Sequence, residues 1–200
     1  MTATVVSGAL AVGCSEKRID NQSDVSLKVS PSELKFRADG ETRTVSVDTE
    51  EEWSYGMIEP EGNRSICRCE KTAGGLDVTM SAATGSEERY VRLIVKARQE
   101  IRTVMAKQEG ISLETDTDSL EFGPEGGRQE VNVKCNLTGW DFLVSGPEGT
   151  VVRCTAERQR NKLVVTVPSV SEGDSGFDAS ITVRAGKLSR KIAVRQRPLP

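Results

Sequence analysis

The chain of 200 residues contains no histidine. It therefore lacks any side chain that titrates unperturbed near neutrality, and with it a Ser-His-Asp triad, a Cys-His pair and an imidazole metal ligand. Aromatic residues make up 4% of the sequence, too few for one broad aromatic core but enough for small sandwich domains. Lys+Arg 27 against Asp+Glu 30 leaves a net charge of -3, which offers no electrostatic footprint for nucleic acid. A glycine-rich phosphate loop is also missing. Acidic residues are plentiful, but the densest groups, Glu50 to Glu52, Glu87-Glu88 and Asp116 with Asp118, fall in or beside predicted turns. Glycosidase chemistry needs two carboxylates at fixed separation in a cleft, so no catalysis and no cofactor are expected. Asp116 and Asp118 come nearest to a weak calcium pair, and their ordinary reading is a solvated acidic loop.

The N-terminal segment reads as an address. Residues 3–13 are small or apolar and uncharged, and end at Cys14, after which Glu16, Lys17 and Arg18 begin the charged part of the chain. The segment is too short to span a bilayer. Leu10-Ala11-Val12-Gly13-Cys14 resembles the lipobox that closes a bacterial lipoprotein signal peptide, with Ala11 where a larger aliphatic is usual and no Lys or Arg before the apolar run. That resemblance implies a signal peptide over 1–13, lipidation of Cys14, a flexible tether over 14–24 and a place in the cell envelope, at the outer membrane or cell surface. Contact with the membrane would be through the lipid anchor only. The alternative is an ordinary first strand carrying a free cysteine.

The rest of the chain is internally repeated. Val25-Ser26-Leu27 recurs as Ile111-Ser112-Leu113, and at the same offset Leu34, Phe36, Gly40, Val45 and Val47 meet Leu120, Phe122, Gly126, Val131 and Val133. After one inserted residue Trp53 meets Trp140, Tyr55 meets Phe142, and Leu76 and Val78 meet Leu163 and Val165; later Val95 meets Val183 and Gln108 meets Gln196. The chain is thus two copies of one unit, 25–108 and 109–200, with only Glu109 and Gly110 between the repeated parts. So short a joint should restrict swinging. Within each copy apolar residues recur at period two, separated by Pro, Gly, Asn and Ser breakers, and no window holds a helix-length 3.6 pattern. The expected fold class is all-β, as two tandem immunoglobulin-like antiparallel β-sandwiches.

Leu27-x-Val29-Ser30-Pro31-x-x-Leu34-x-Phe36, then Gly40, Val45-x-Val47, Trp53 and Gln108, resemble the BACON domain, a Bacteroidetes-associated immunoglobulin-like module. Copy two repeats the pattern, with Asp116-Thr117 in place of Ser-Pro. The resemblance implies a non-catalytic role in carbohydrate or mucin binding or adhesion, with a glycan or host-surface glycoprotein as partner. A spacer or scaffold role beside the proteins of a surface complex is equally compatible, and no residue-level binding motif comes with the family.

Candidate ligand residues must therefore come from departures from the repeat. Trp53/Tyr55 and Trp140/Phe142 recur and are assigned to the cores. Phe177, inside the glycine-rich stretch 171–178, breaks the repeat. The final hairpin carries Arg184, Lys187, Arg190, Lys191, Arg195 and Arg197 without an acid from Ala179 onward, and Lys191 and Arg195 share its outward face. A site is expected in which Phe177 stacks on a sugar while Arg184 or Lys191 meets a sulfated or sialylated group. No metal is expected: Cys67, Cys69, Cys135 and Cys154 lack the two-knuckle spacing of zinc sites, and their default role is as buried small hydrophobes. The sequence alignment pairs Cys69 with Cys154.

Overall fold

The computed structural model describes residues 26–60, 66–148, 151–173 and 175–199; the expected signal peptide, Cys14 and the tether lie outside them. The described residues form strands and connections, with no helix. The first eight strands are β1 (Lys28–Ser30), β2 (Glu33–Phe36), β3 (Glu41–Asp48), β4 (Trp53–Ile58), β5 (Cys67–Thr72), β6 (Gly75–Met80), β7 (Arg89–Ala97) and β8 (Glu100–Gln108). They make two sheets, β1-β3-β6-β5 and β2-β8-β7-β4. The next eight are β9 (Leu113–Thr115), β10 (Ser119–Phe122), β11 (Gly127–Cys135), β12 (Asp141–Ser145), β13 (Thr155–Gln159), β14 (Lys162–Val167), β15 (Phe177–Ala185) and β16 (Leu188–Gln196). These repeat the arrangement as β13-β14-β11-β9 and β10-β16-β15-β12.

The fold is all-β, built as two tandem immunoglobulin-like sandwiches. One feature of the pairing differs from the expected antiparallel sheets. β2 runs parallel to β8, and β10 parallel to β16. The chain changes sheet at Pro31 in the first copy and around Asp116 to Asp118 in the second, so the opening strand of each sandwich contributes to both sheets. Asp116 is occupied structurally there, accepting from the Asn132 amide at 2.9 Å and its Nδ2 at 2.5 Å.

Period-two alternation drives the packing. Leu34, Phe36, Val45, Leu76, Val78, Val91, Leu93 and Val104 are buried in the first sandwich. Leu120, Phe122, Val131, Val133, Leu163, Val165, Ile181, Val183, Ile192 and Val194 do the same in the second. Each such side chain contributes about 1.5–3 kcal/mol on burial. Two glutamines sit in this apolar interior. Gln108 Nε2 donates to the carbonyls of Arg37 and Ser81 at 3.0 and 2.9 Å, and Gln196 Nε2 to those of Gly123 and Pro168 at 3.2 and 2.7 Å. Each amide joins carbonyls from two loops outside the strand ladders, and with its own donors satisfied a polar side chain is tolerated there.

The two sandwiches meet through a built joint. Ala38 and Ala83 of the first copy pack into the core of the second. The Ile111 amide donates to the Gly85 carbonyl at 2.8 Å and the Lys187 amide to that of Thr84 at 2.9 Å. Asp39 accepts from the Thr138 amide at 3.0 Å and hydroxyl at 3.2 Å. Two glycines permit the approach: a Cβ on Gly110 would lie 1.9 Å from the Ser86 carbonyl oxygen, and one on Gly186 3.1 Å from the Thr84 carbonyl oxygen.

Candidate ligand-binding surface

Both tryptophans face inward, Trp140 buried and Trp53 half-buried. Each is covered by a cation from the opposite sheet. Lys71 Nζ stands 4.1 Å from the Trp53 ring centroid and donates to the Trp53 carbonyl at 2.9 Å. Arg158 Cζ stands 4.6 Å from the Trp140 centroid, and its guanidinium donates to the carbonyls of Trp140 at 2.5 Å and Thr138 at 3.3 Å. Lys71 and Arg158 occupy equivalent registers, opposite Leu76 and Leu163. The cation-on-tryptophan pair is therefore part of the repeated scaffold, a feature the sequence reading missed although the tryptophans and the cations recur at one offset. Such a contact is worth about 0.5–2 kcal/mol, and a sugar stacking on that ring face would have to displace it.

The residues singled out by sequence do not all converge. Phe177 is the first residue of β15 rather than part of the preceding loop; it pairs with Gln196 and is half-buried against the core. Its counterpart in the first sandwich is Arg89, which pairs with Gln108 and donates to that side chain. Arg184 lies seven residues along the same strand, about 23 Å away at 3.3 Å per residue and on the opposite face. It stands across from Asp141, near the joint. Arg184 and Phe177 thus cannot hold one small ligand together.

Lys191 is nearer to the Phe177 end. It pairs with Thr182 and shares the outer face of β15–β16 with Arg195, Asp178 and Ser180. The hairpin, acid-free in sequence from Ala179, is not acid-free in space. Arg195 is 3.6 Å from Asp178 and 3.9 Å from Glu121, whereas Lys191 has no carboxylate partner among the described residues.

Two clefts adjoin at this end, away from the joint. One of about 500 Å³ is lined by Pro147, Arg153, Ser175, Phe177, Asp178 and Gln196, among others. The other, of about 370 Å³, is lined by Ser145, Pro147, Asp178, Ser180, Lys191 and Arg195, among others. Pro147 and Asp178 belong to both, so the clefts are continuous. The Ser145 and Ser180 hydroxyls lie 3.0 Å apart on its floor. The depression thus holds one aromatic edge, hydroxyl groups and three cations, with the Asp178 carboxylate among them and paired to Arg195. Arg153 and Pro147 were not singled out from sequence; the only local signal was the Gly146-Pro147 breaker.

The cysteines are placed differently from the alignment. Cys67 is opposite Met80, and continuing the β13–β14 register by one residue sets Cys154 opposite Val167, the counterpart of Met80. Cys154 therefore corresponds to Cys67, both being buried, and Cys69 corresponds to Ala156. Cys67, Cys69, Cys135 and Cys154 are free thiols.

No protein-family profile matches the chain, and no curated protein matches it. Among solved structures it is similar to the I9-I11 tandem of titin, at 11% identity and a TM-score of 0.46 over 88% of this chain and 66% of that one. It is also similar to the titin fragment I67-I69, at 10% identity and 0.42 over 87% and 65%, so the chain spans about two thirds of the length of these two. A chimeric titin Z1Z2 gives 9% identity and 0.40 over 87% and 97%. The immunoglobulin-like assignment rests on the strand order itself.

Proposed function

We propose that this chain is a non-catalytic, lipid-anchored surface protein of a bacterial envelope, with tandem modules of BACON type. It attaches through the far end of its second sandwich to a glycan bearing carboxylate or sulfate groups. The observation that carries this reading is the continuous depression bounded by Phe177, Arg153, Lys191 and Arg195, with Lys191 left unpaired among the described residues. Recognition at sandwich ends is favoured because the sheets hold the loops there without constraining their sequence. The lipobox at Cys14 supports the anchor.

A screen of the whole chain against neutral and acidic glycans tests this. Saturable binding to acidic glycans that weakens with salt and is lost in Phe177→Leu/Lys191→Ala is the expected result. Binding unchanged in that variant would reject the site. Cys14→Ala should release the protein from membranes, and equal retention would reject the anchor. A second reading, a spacer without glycan binding, is favoured by the hydrogen-bonded joint; silence across the screen would select it.

A further inference from the structure

The first sandwich departs from the second in one chemically coherent way. Cys67 and Cys69 project to the same inner face of β5, with their sulfurs 4.0 Å apart. Met80 is the cross-strand neighbour of Cys67 on that face, where opposed Cβ atoms lie about 4.5–5.5 Å apart. Met57 comes from the facing sheet. It pairs with the buried Leu93 and so points inward, yet it is 42% exposed at the open edge between β4 and β5. Two contacts fix how β4 runs past β5: Lys71 Nζ reaches the Trp53 carbonyl, and Tyr55 Oη reaches the Cys69 carbonyl at 2.9 Å. Met57 is one inward step beyond Tyr55 on β4, as Cys67 is one inward step beyond Cys69 on β5.

The same four registers in the second sandwich hold Cys154, Ala156, Val167 and Val144. Cys154 alone keeps sulfur, and it is buried like Cys67. A lone buried cysteine is thus the scaffold residue, and three further sulfurs have been added around it in the first sandwich only. Packing does not require them, because the second copy fills the same places with Ala and Val.

We propose that Cys67 and Cys69, with a methionine thioether from Met57 or Met80, form a binding site for a monovalent thiophilic metal ion, namely Cu(I). Thiolate and thioether donors select such soft ions. With metal–thiolate bonds of about 2.3 Å, a sulfur separation of 4.0 Å gives an angle of roughly 120° at the ion, a trigonal wedge with room for one more sulfur. Among the described residues no group of three or more His, Cys, Asp or Glu is gathered, so the methionines are what complete this site.

On binding, two S–H bonds break, two thiolate S–Cu bonds and one thioether S–Cu bond form, and two protons leave to solvent. Copper enters and stays monovalent, so no oxidant or reductant takes part. Both thiols must give up their protons for the ion to bind, so binding is coupled to pH. The bis-thiolate complex carries one net negative charge. The Glu59 carboxylate opposes that charge.

The proposal is independent of glycan binding. Its test is anaerobic titration of the reduced full chain with Cu(I) against a competing chromogenic chelator, with copper X-ray absorption on the product. One tightly held equivalent with sulfur-only coordination is expected. Cys69→Ala installs the residue of the second sandwich, so the fold should survive, and the tight equivalent should weaken about a hundredfold or more. Met57→Val with Met80→Val should change three sulfur neighbours to two, while Cys154→Ala should leave binding unchanged. Absence of a tight equivalent, its persistence in Cys69→Ala, its loss in Cys154→Ala, or a coordination unmoved by the double methionine change would each overturn the proposal.

Discussion

Asp39, in the turn after β2, binds Thr138, 99 residues later and in the other sandwich, by accepting from both its amide and its hydroxyl. Its charge makes these bonds stronger than neutral ones, and they join the Lys187–Thr84 amide contact in pinning the joint away from the linker. Asp39→Ala should leave each sandwich folded while loosening their mutual orientation. Small-angle scattering of wild type and variant should show a broader distribution of interdomain distances in the variant. An unchanged profile would mean that Ala38, Ala83 and the two amide contacts hold the joint alone.

Trp140 should be the costlier of the two tryptophans to truncate. Trp140→Ala removes a buried ring and its contact with the Arg158 guanidinium, which keeps its bonds to the backbone carbonyls of residues 138 and 140, with an expected loss of about 3–5 kcal/mol. Trp53 is half-buried and should cost less. Arg158→Ala, which removes the cation and its bond to the Trp140 carbonyl, should cost about 1–2 kcal/mol. Denaturant melts of the three variants should rank them in that order.

Gln196→Leu preserves bulk but removes the donor to the Pro168 carbonyl, while the Gly123 carbonyl keeps its bond from the Gly126 amide. An unpaired buried polar group costs about 1–3 kcal/mol, so a loss in that range or somewhat above is expected in the second sandwich. Hydrogen exchange should locate the change around residues 122–126 and 168–170 and leave the first sandwich untouched.

Glu41 is held below the ordinary carboxylate range, first by the hydrogen bond from the Arg37 amide at 3.0 Å and then by Arg43. A depressed folded-state pKa means that the folded protein holds the proton less tightly than the unfolded chain. The stabilisation is therefore complete above the unfolded value and is lost as pH falls through the folded one. Glu41→Gln should lower stability at neutral pH by at most about 1 kcal/mol. Below the folded pKa, wild type and variant should melt together.

Strand content and the repeat were legible because burial on one face imposes period two, and a duplicated unit must bury the same positions twice. Pairing was not legible in the same way. Periodicity places Leu34 and Phe36 inward but says nothing about which neighbour receives their amides, so the parallel contact with β8 required the structure. Phe177 was misplaced for a physical reason: the glycines and serines of 171–176 read as a breaker running up to it. Yet Phe177, Ala179, Ile181, Val183 and Ala185 continue one alternating face. The cysteine equivalence was legible and was misread: the offset that matches Trp53 to Trp140 and Leu76 to Leu163 also matches Cys67 to Cys154, and the ladders with β6 and β14 agree with it. Asp39 and Thr138 look like any polar turn residues, since a contact across a joint leaves no period to read. The depression at the far end draws on strand ends and connections with no common spacing, so only Phe177, Lys191 and Arg195 stood out beforehand.

The parallel pairing of β2 with β8 and of β10 with β16 has a mechanical consequence. A tension that pulls residue 26 away from residue 199 enters each sandwich near its first strands and leaves through its last. Parallel neighbours pulled toward opposite ends slide along each other, so the rungs from Glu33–Met105 to Phe36–Gln108 carry the load together. The rungs from Ser119–Ala193 to Phe122–Gln196 are loaded in the same way. A hairpin pulled from its open end breaks one rung at a time; here the ladder must fail as a unit, twice along the chain.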